Sequence, residues 1–542
     1  RIVKKSGMGK TYPKELKAFA LTLQFYSTKA YMFVRRCFGL ALPHPAQIRK
    51  WYTKVPAEPG FTEIAFAAIK VKAASSQPII CALMLDEMCI RKHLSWDGTK
   101  EVLVIMAVGV NQSWKVPLGY FFVAGLSGVE RANIVKVCIQ RLCETGAKVI
   151  SLTCDGPSCH FSMLTQLGAS LNPLNMQSSF SILTHEESRV HVFLDACHML
   201  KLVRNTFAEW GVLIDKYGRK INWQYIVELQ KLQEKEGLRL ANKLKRDHVN
   251  WWQQKMKVNL ASQTLSASVA DAIQYCNIHL KLPQFVGSEA TVDFIKLFDR
   301  LFDILNSRNP LGRGYKSPLK ENNKSVWETF LKSGISYIQG LCNTQGKQLV
   351  FSSRKTGFVG FLVCISSVQH CFEDWVHNGP LKYLLTYKFS QDHLELFFCA
   401  VRSAGGCNNN PTVQQFIAAY KRLLMRTGVL ASGGNCAAQD STSILDVLDS
   451  TVAVTRKYNL LEKTPLNIDH DYIDASNSIL LSEYKTQAVS YIAGYVSRGL
   501  MHTLSCQDCK TALLWSPDDD KGGLCKPSSS VVAVCIEAEK SF

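Results

Sequence analysis

Three acidic residues, Asp86, Asp155 and Glu395, stand beside apolar stretches where a carboxylate is costly unless a cation meets it. Asp86 follows Ile79-Ile80-Cys81-Ala82-Leu83-Met84-Leu85, Asp155 follows Val149-Ile150-Ser151-Leu152-Thr153-Cys154, and Glu395 lies in Gln391-Asp392-His393-Leu394-Glu395-Leu396-Phe397-Phe398. Mg²⁺ or Mn²⁺, a hard cation that a few carboxylates share with phosphate oxygens, is the natural partner. Two such ions roughly 3.5 to 4 Å apart serve an in-line phosphoryl displacement, activating the attacking oxygen and stabilising the leaving one. Each aspartate also has a structural reading, as a helix N-cap or turn former, and Asp155-Gly156 is a common turn dipeptide. A strand Asp, a later strand Asp and a helical Glu together are more telling than any one of them.

To present these groups the chain needs strands before the first two and a helix under the third. Ile79–Leu85, Val102–Val110 and Val116–Val123 are short apolar runs that predict three successive strands. Glu130–Cys143 reads as a helix, Val149–Cys154 as a strand, Met163–Leu167 as part of a helix and Val190–Leu194 as a fifth strand, with helix again from about Met199. The order βββαβαβ predicts an α/β fold: a mixed sheet with helices on its faces, the topology of the RNase H-like nucleases. Asp195 and His198 sit beside the fifth strand, where they either tune the site or hold structure.

Before the sheet, Leu16, Phe19, Ala20 and Leu23 share a helix face, and Pro43 and Pro45 precede a third short helix ending near Trp51 and Tyr52. With Lys14, Lys17, Lys29, Arg35, Arg36, Arg49 and Lys50, this three-helix unit suits a helix-turn-helix that binds DNA or pairs with a second copy, or a packing domain with a basic face. Residues 210–385 read as mainly helical. There Lys231, Lys235, Arg239, Lys243, Lys245, Arg246, Lys255 and Lys257 interleave with Trp251 and Trp252, suiting a phosphate backbone and exposed bases, or a solvated helix face.

The 63 Lys+Arg against 44 Asp+Glu give a net charge of +19, which favours a polyanionic partner, nucleic acid before membrane. The most apolar run, Phe358–Ile365, is far short of the roughly 20 residues that span a bilayer. The basic opening Arg1-Ile2-Val3-Lys4-Lys5 is not a signal peptide, and its missing Met suggests a fragment. Nineteen scattered cysteines then read as reduced thiols of a cytosolic or nuclear protein.

Several longer motifs, in order along nearly the whole chain, resemble the P-element-type transposases of the THAP-domain family. They include Met84-Leu85-Asp86-Glu87-Met88, Pro117-Leu118-Gly119-Tyr120-Phe121-Phe122, Cys154-Asp155-Gly156, Phe193-Leu194-Asp195-Ala196-Cys197-His198-Met199, Leu301-Phe302-Asp303-Ile304-Leu305-Asn306-Ser307-Arg308-Asn309, Phe389-Ser390-Gln391-Asp392-His393-Leu394-Glu395 and Tyr491-Ile492-Ala493-Gly494-Tyr495-Val496. The resemblance implies a nuclear DNA transposase whose RNase H-like domain holds metal on Asp86, Asp155 and Glu395. It implies a helical insertion that binds GTP as an assembly cofactor, with Asp303, Asn306 and Asp392 near the nucleotide. It further implies transposon-end and target DNA as partners and a homo-oligomer. The expected parts are a helix-turn-helix at 1–68, RNase H-like segments at 69–208 and 385–425, the insertion at 209–384 and a helical C-terminal region at 426–542. The family's zinc-binding THAP module is not in this sequence, and the sequence ends within what resembles the final helical region. A domesticated DNA-binding protein that keeps the fold without catalysis is the alternative.

Other motifs fail. Gly9-Lys10-Thr11 ends like a phosphate-binding loop, but Lys4 stands where its first glycine belongs and no strand precedes it. Cys506 and Cys509 form a CxxC, yet Cys525 and Cys535 are wrongly spaced for a zinc ribbon.

Overall fold

The structure is a computed structural model. It describes residues 12–53, 55–75, 78–91, 101–181, 189–237, 239–241, 243–404, 410–424, 443–444, 483–514 and 525–540. Gly9-Lys10-Thr11 lies outside the described residues. The chain forms two compact units, one of residues 1–206, 256–259 and 300–452, the other of residues 207–255, 260–299 and 453–542.

The first unit is built on an eight-stranded sheet. Its strands are β1 (Gly60–Phe61), β2 (Ile79–Cys89), β3 (Glu101–Gly109), β4 (Trp114–Val123), β5 (Ala147–Cys154), β8 (Ser179–Ser181) and β9 (Arg189–Leu194), while β6 (Ser170–Asn172) and β7 (Asn175–Gln177) form a separate hairpin. The spatial order is β1-β4-β3-β2-β5-β9-β8, and Ser443–Ile444 adds parallel to β4. The first three long strands run antiparallel, as hairpin-connected strands do, while β5 joins β2 in parallel through the helix Gly128–Glu144 and β9 joins β5 in parallel. That crossover helix starts at a capping box in which Ser127 and Glu130 satisfy each other's backbone N–H groups. The expected βββαβαβ order is therefore found, with the short β1, β6, β7 and β8 added. Three-residue strands carry too little periodicity to be read from sequence.

One face of β2, β3 and β4 is covered by the helices Asp392–Ala404 and Val413–Leu424. Met84, Met88, Val104, Met106 and Tyr120 pack there with Leu394, Phe397, Phe398, Phe416 and Tyr420. The helix Thr356–Phe372 lies against β9, where Cys364 donates to the carbonyl of Leu194 and Gly360 leaves room for Met199. The N-terminal helices Lys14–Tyr26, Thr28–Cys37 and Pro45–Thr53 close over a small core of Ala20, Leu21, Tyr31, Leu42, Ile48 and Tyr52.

The second unit is mainly helical but opens with a hairpin, Val212–Ile214 against Lys220–Asn222. Phe207, Trp223, Phe294 and Phe298 meet edge-on or tilted through its core, and Tyr275 meets Tyr491 and the carbonyl of Gln487 on the helix Glu483–Thr503. No described helix is long and apolar enough to cross a membrane.

Candidate active site

The parallel register of β2 and β5 pairs Met84 with Thr153. Asp86 lies two residues further along β2, and Asp155 immediately follows the end of β5 at Cys154. Side chains alternate across a sheet, so Asp86 shares the face of Met84 and Met88, which is the face that packs on the Glu395 helix, Asp392–Ala404. Thr153, two residues before Asp155, donates its hydroxyl to the carbonyl of Phe389 at 2.9 Å. The charges of Glu395 and Asp155 both reach Asp86, so the three expected residues lie in one neighbourhood.

Asp86 does not end its strand, as its position after an apolar run suggested. β2 continues to Cys89 because its antiparallel partner β3 keeps pairing, Asp86 with Val104 and Cys89 with Glu101, whereas β5 stops at Cys154. Asp86 lies within a strand on one side and beyond the end of its neighbour on the other.

The Asp86 carboxyl feels its acidic neighbours. Burial, and next the charges of Glu395 and Asp155, push the Asp86 carboxyl well above the usual range, against His198 and the Glu87 N–H, which donates to Asp86 at 2.8 Å. Burial also raises Asp155, but the interactions with His160 and His198 outweigh it and hold that carboxyl below the usual range. Lys201, buried and lowered by burial, feels the charges of Asp195, Glu395, Asp155 and Asp86. Among the described residues no three His, Cys, Asp or Glu side chains form a ready-made ion cage.

Two supporting residues left no sequence signal. Arg131, 3% exposed, pairs with Glu87 and donates to His160 Nε2 at 3.3 Å. Arginine has only donors, so Nε2 accepts and Nδ1 carries the hydrogen, donating it to the Asp155 backbone carbonyl at 3.3 Å with Asp155 Oδ1 2.5 Å away. This line runs from the neighbour of Asp86 to Asp155. A buried Arg and His become meaningful only once the helices that carry them are placed. Gly156 has its own reason beyond a turn: a Cβ there would sit 2.5 Å from Thr356.

Asp195 is 1% exposed and accepts from the N–H and Nδ1 of His198, each at 2.9 Å, and from the N–H of Gln391 at 2.9 Å. Burial raises its carboxyl, but those hydrogen bonds and the His198 charge prevail and lower it, while Asp195 raises His198 against burial.

Of the other expected residues, Asp392 is buried, 4% exposed, pairs with Arg308 and accepts from the Cys197 thiol. Burial raises it despite Arg308. Asn306 precedes Ser307, whose N–H donates to Thr386 at 3.0 Å and whose carbonyl accepts from the Tyr387 N–H, so Asn306 and Asp392 belong to strands of chain stitched together. The buried Asn306 Oδ1 has no hydrogen-bond partner among the described residues. Asp303 is a turn away on the helix Glu289–Leu305, 3.6 Å from Lys316. A cavity of about 340 Å³ opens beside that pair, lined by Ile304, Gly314, Tyr315, Ser317, Leu319, Asn323, Val326 and Trp327.

In the basic stretch, Lys231 pairs with Glu228 and Arg246 with Glu234, which is the pattern of a solvated helical face, while Lys255 lies over the Trp251 ring and Trp252 is 55% exposed. Cys506, Cys509, Cys525 and Cys535 are free thiols, as is every described cysteine.

Fold and site together define an RNase H-like domain interrupted by a helical insertion. The chain matches five family descriptions in order: the P-element transposase-like helix-turn-helix domain over residues 1–51, the TNP-like RNase H N-terminal domain over 57–102 and 98–168, the TNP-like GTP-binding insertion domain over 197–318, the TNP-like RNase H C-terminal domain over 387–421 and the C-terminal domain of DNA transposase THAP9 over 480–542. All five descriptions are of domains of P-element-type and THAP-family transposases, and together they span most of the chain. DNA transposase THAP9 of Homo sapiens is 31% identical over 547 residues, covering 93% of this chain and 59% of that protein. Transposable element P transposase of Drosophila melanogaster is 25% identical over 555 residues, covering 100% of this chain and 71% of that protein. The Drosophila P element transposase strand transfer complex matches with a TM-score of 0.66 at 23% identity, over 78% of this chain and 93% of that one, which shows the shared fold.

Proposed function

We propose that this chain is the catalytic core of a DNA transposase that cuts and rejoins DNA in the nucleus by a cut-and-paste route, as a homo-oligomer on transposon ends and target DNA. The observation that carries the reading is the β2–β5 pairing, which brings the end of β5 alongside the strand of Asp86, with Glu395 and Asp155 both pushing Asp86 up. A buried carboxyl at Asp86 that feels the charges of two nearby carboxylates fits Mg²⁺ or Mn²⁺ held on Asp86, Asp155 and Glu395. When bound, such ions supply the charge that activates an attacking oxygen and stabilises a leaving one. The chain's own share is positioning. Arg131 and His160 fix Asp155, the sheet fixes Asp86, and Lys201 and His198 supply positive charge beside the phosphate path.

For the nucleotide we propose GTP as an assembly cofactor near Asp303, Asn306 and Asp392. The orphaned Asn306 Oδ1 offers an acceptor to a ligand donor, and Arg308, which sequence reasoning passed over, offers positive charge close to Asp392.

The test is joining of a labelled 3′-hydroxyl oligonucleotide to plasmid DNA with Mg²⁺ or Mn²⁺, with and without GTP, by the chain and by Asp86→Ala and Glu395→Ala. Joined product from the chain and none from either variant is the expected result, with GTP raising the yield. Tight DNA binding with no product from any version, also after an end-recognition module is supplied, would establish the non-catalytic binding protein instead.

A further inference from the structure

Gln391 stands four residues before Glu395 and is 1% exposed, yet sequence reasoning gave it no role. Its side-chain Nε2 donates to the carbonyl of Leu85, the residue before Asp86, at 2.7 Å. Its backbone N–H donates to Asp195 Oδ1 at 2.9 Å, at the end of β9. Its carbonyl accepts from the N–H of Leu394 at 2.9 Å and from the N–H of Glu395 itself at 3.0 Å. One buried residue therefore holds the strand of Asp86, the end of the fifth long strand and the first turn of the Glu395 helix. Its remaining polar atom, Oε1, is buried without a hydrogen-bond partner among the described residues.

We infer that Gln391 is a positioning residue that sets the reach of Glu395 to Asp86, and that its buried Oε1 accepts from a water at the metal site; the inference rests on the proposed triad. Glu395 sits on a helix joined to the rest of the sheet only after some 200 residues of intervening chain, counted from Asp195 to Gln391 by their separation of 196. Covalent connectivity does not fix that helix against β2. A side-chain donor aimed at a strand carbonyl does, because the carbonyl neighbours the residue whose distance matters. The donor must be an amide. A carboxylate at this position would face the Leu85 carbonyl oxygen with no hydrogen between them, and a shorter Asn would not reach it.

The experiment uses the full chain with Gln391→Glu, Gln391→Met and Asp86→Ala, and reads Mn²⁺ binding by electron paramagnetic resonance together with DNA-cleavage kcat and KM. Both Gln391 variants are expected to bind Mn²⁺ about 10- to 100-fold more weakly and to lose kcat by a similar factor, with KM for DNA little changed, the scale for residues that orient metal ligands. Gln391→Met fills the same space, so it reports on the inference if the Glu variant fails to fold. Unchanged Mn²⁺ affinity and unchanged turnover per folded molecule, in variants that merely melt earlier, would overturn the positioning role. If Asp86→Ala also binds Mn²⁺ and cleaves like the parent, the triad reading fails first. If Asp86→Ala is dead while both Gln391 variants are normal, the inference about Gln391 alone is wrong.

Discussion

The guanidinium of Arg131 and the imidazole of His160 lie 3.3 Å apart, both buried, between Glu87 on one side and Asp155 on the other. Removing the arginine leaves Glu87 without its partner and His160 Nε2 without a donor. Arg131→Met should lower stability by about 3 kcal/mol, the usual scale for breaking a buried pair from one side. Urea denaturation with the change in midpoint checks this, and a loss below about 1 kcal/mol would mean that water replaces the guanidinium.

Asp86 works against the fold that holds it. Its carboxyl is raised by burial and then by Glu395 and Asp155, so its protonated form suits the folded state and its charged form weakens it. The contribution is present at low pH and is lost as pH rises through the raised folded value. Asp86→Asn, neutral and of the same shape, should therefore be more stable at pH 7 without metal, by about 1 kcal/mol. Added Mn²⁺ should stabilise the parent and not the variant, which thermal melts with and without Mn²⁺ will show.

His191 predicts acid sensitivity away from the proposed site. Its ring is fully buried, with Nε2 3.1 Å from Asp374 Oδ2. Burial lowers it from 6.5 to about 4, outweighing Asp374, and His370 and Arg189 push the same way. As pH falls the unfolded chain takes up this proton first, so stability held by neutral His191 is complete above about 6.5 and is lost toward about 4. The loss is up to about 3 kcal/mol. Comparing denaturation at pH 7 and pH 5 for the parent and His191→Phe tests it: the variant should show the smaller drop.

Gly360 lies on the helix Thr356–Phe372, where an added Cβ would come within 2.1 Å of the Met199 sulfur. Gly360→Val should cost about 1–3 kcal/mol as an overpacked contact. Met199→Ala in the same chain should recover part of it, and a double-mutant cycle with no coupling would show that the helix simply shifts.

The sequence by itself determined the order of the longer strands and their helices through Leu194, because apolar runs such as Ile79–Leu85, bounded by turn residues, stand out, while the three-residue strands between them did not. It also singled out Asp86, Asp155 and Glu395, because carboxylates against apolar segments are conspicuous wherever they occur. It did not show that β2 passes Asp86 and runs on to Cys89, since only pairing with β3 extends that strand. Nor did it distinguish Arg131, His160 or Gln391 from ordinary residues. Arg131 reads as part of an amphipathic helix and Gln391 as a polar residue near a helix start. Tertiary structure decided their roles, because a hydrogen bond across 306 residues, as from Gln391 to Leu85, depends on which strand lies beside which segment. Local periodicity reports only which face of an element is buried, and the buried donors and acceptors that meet there are fixed by packing.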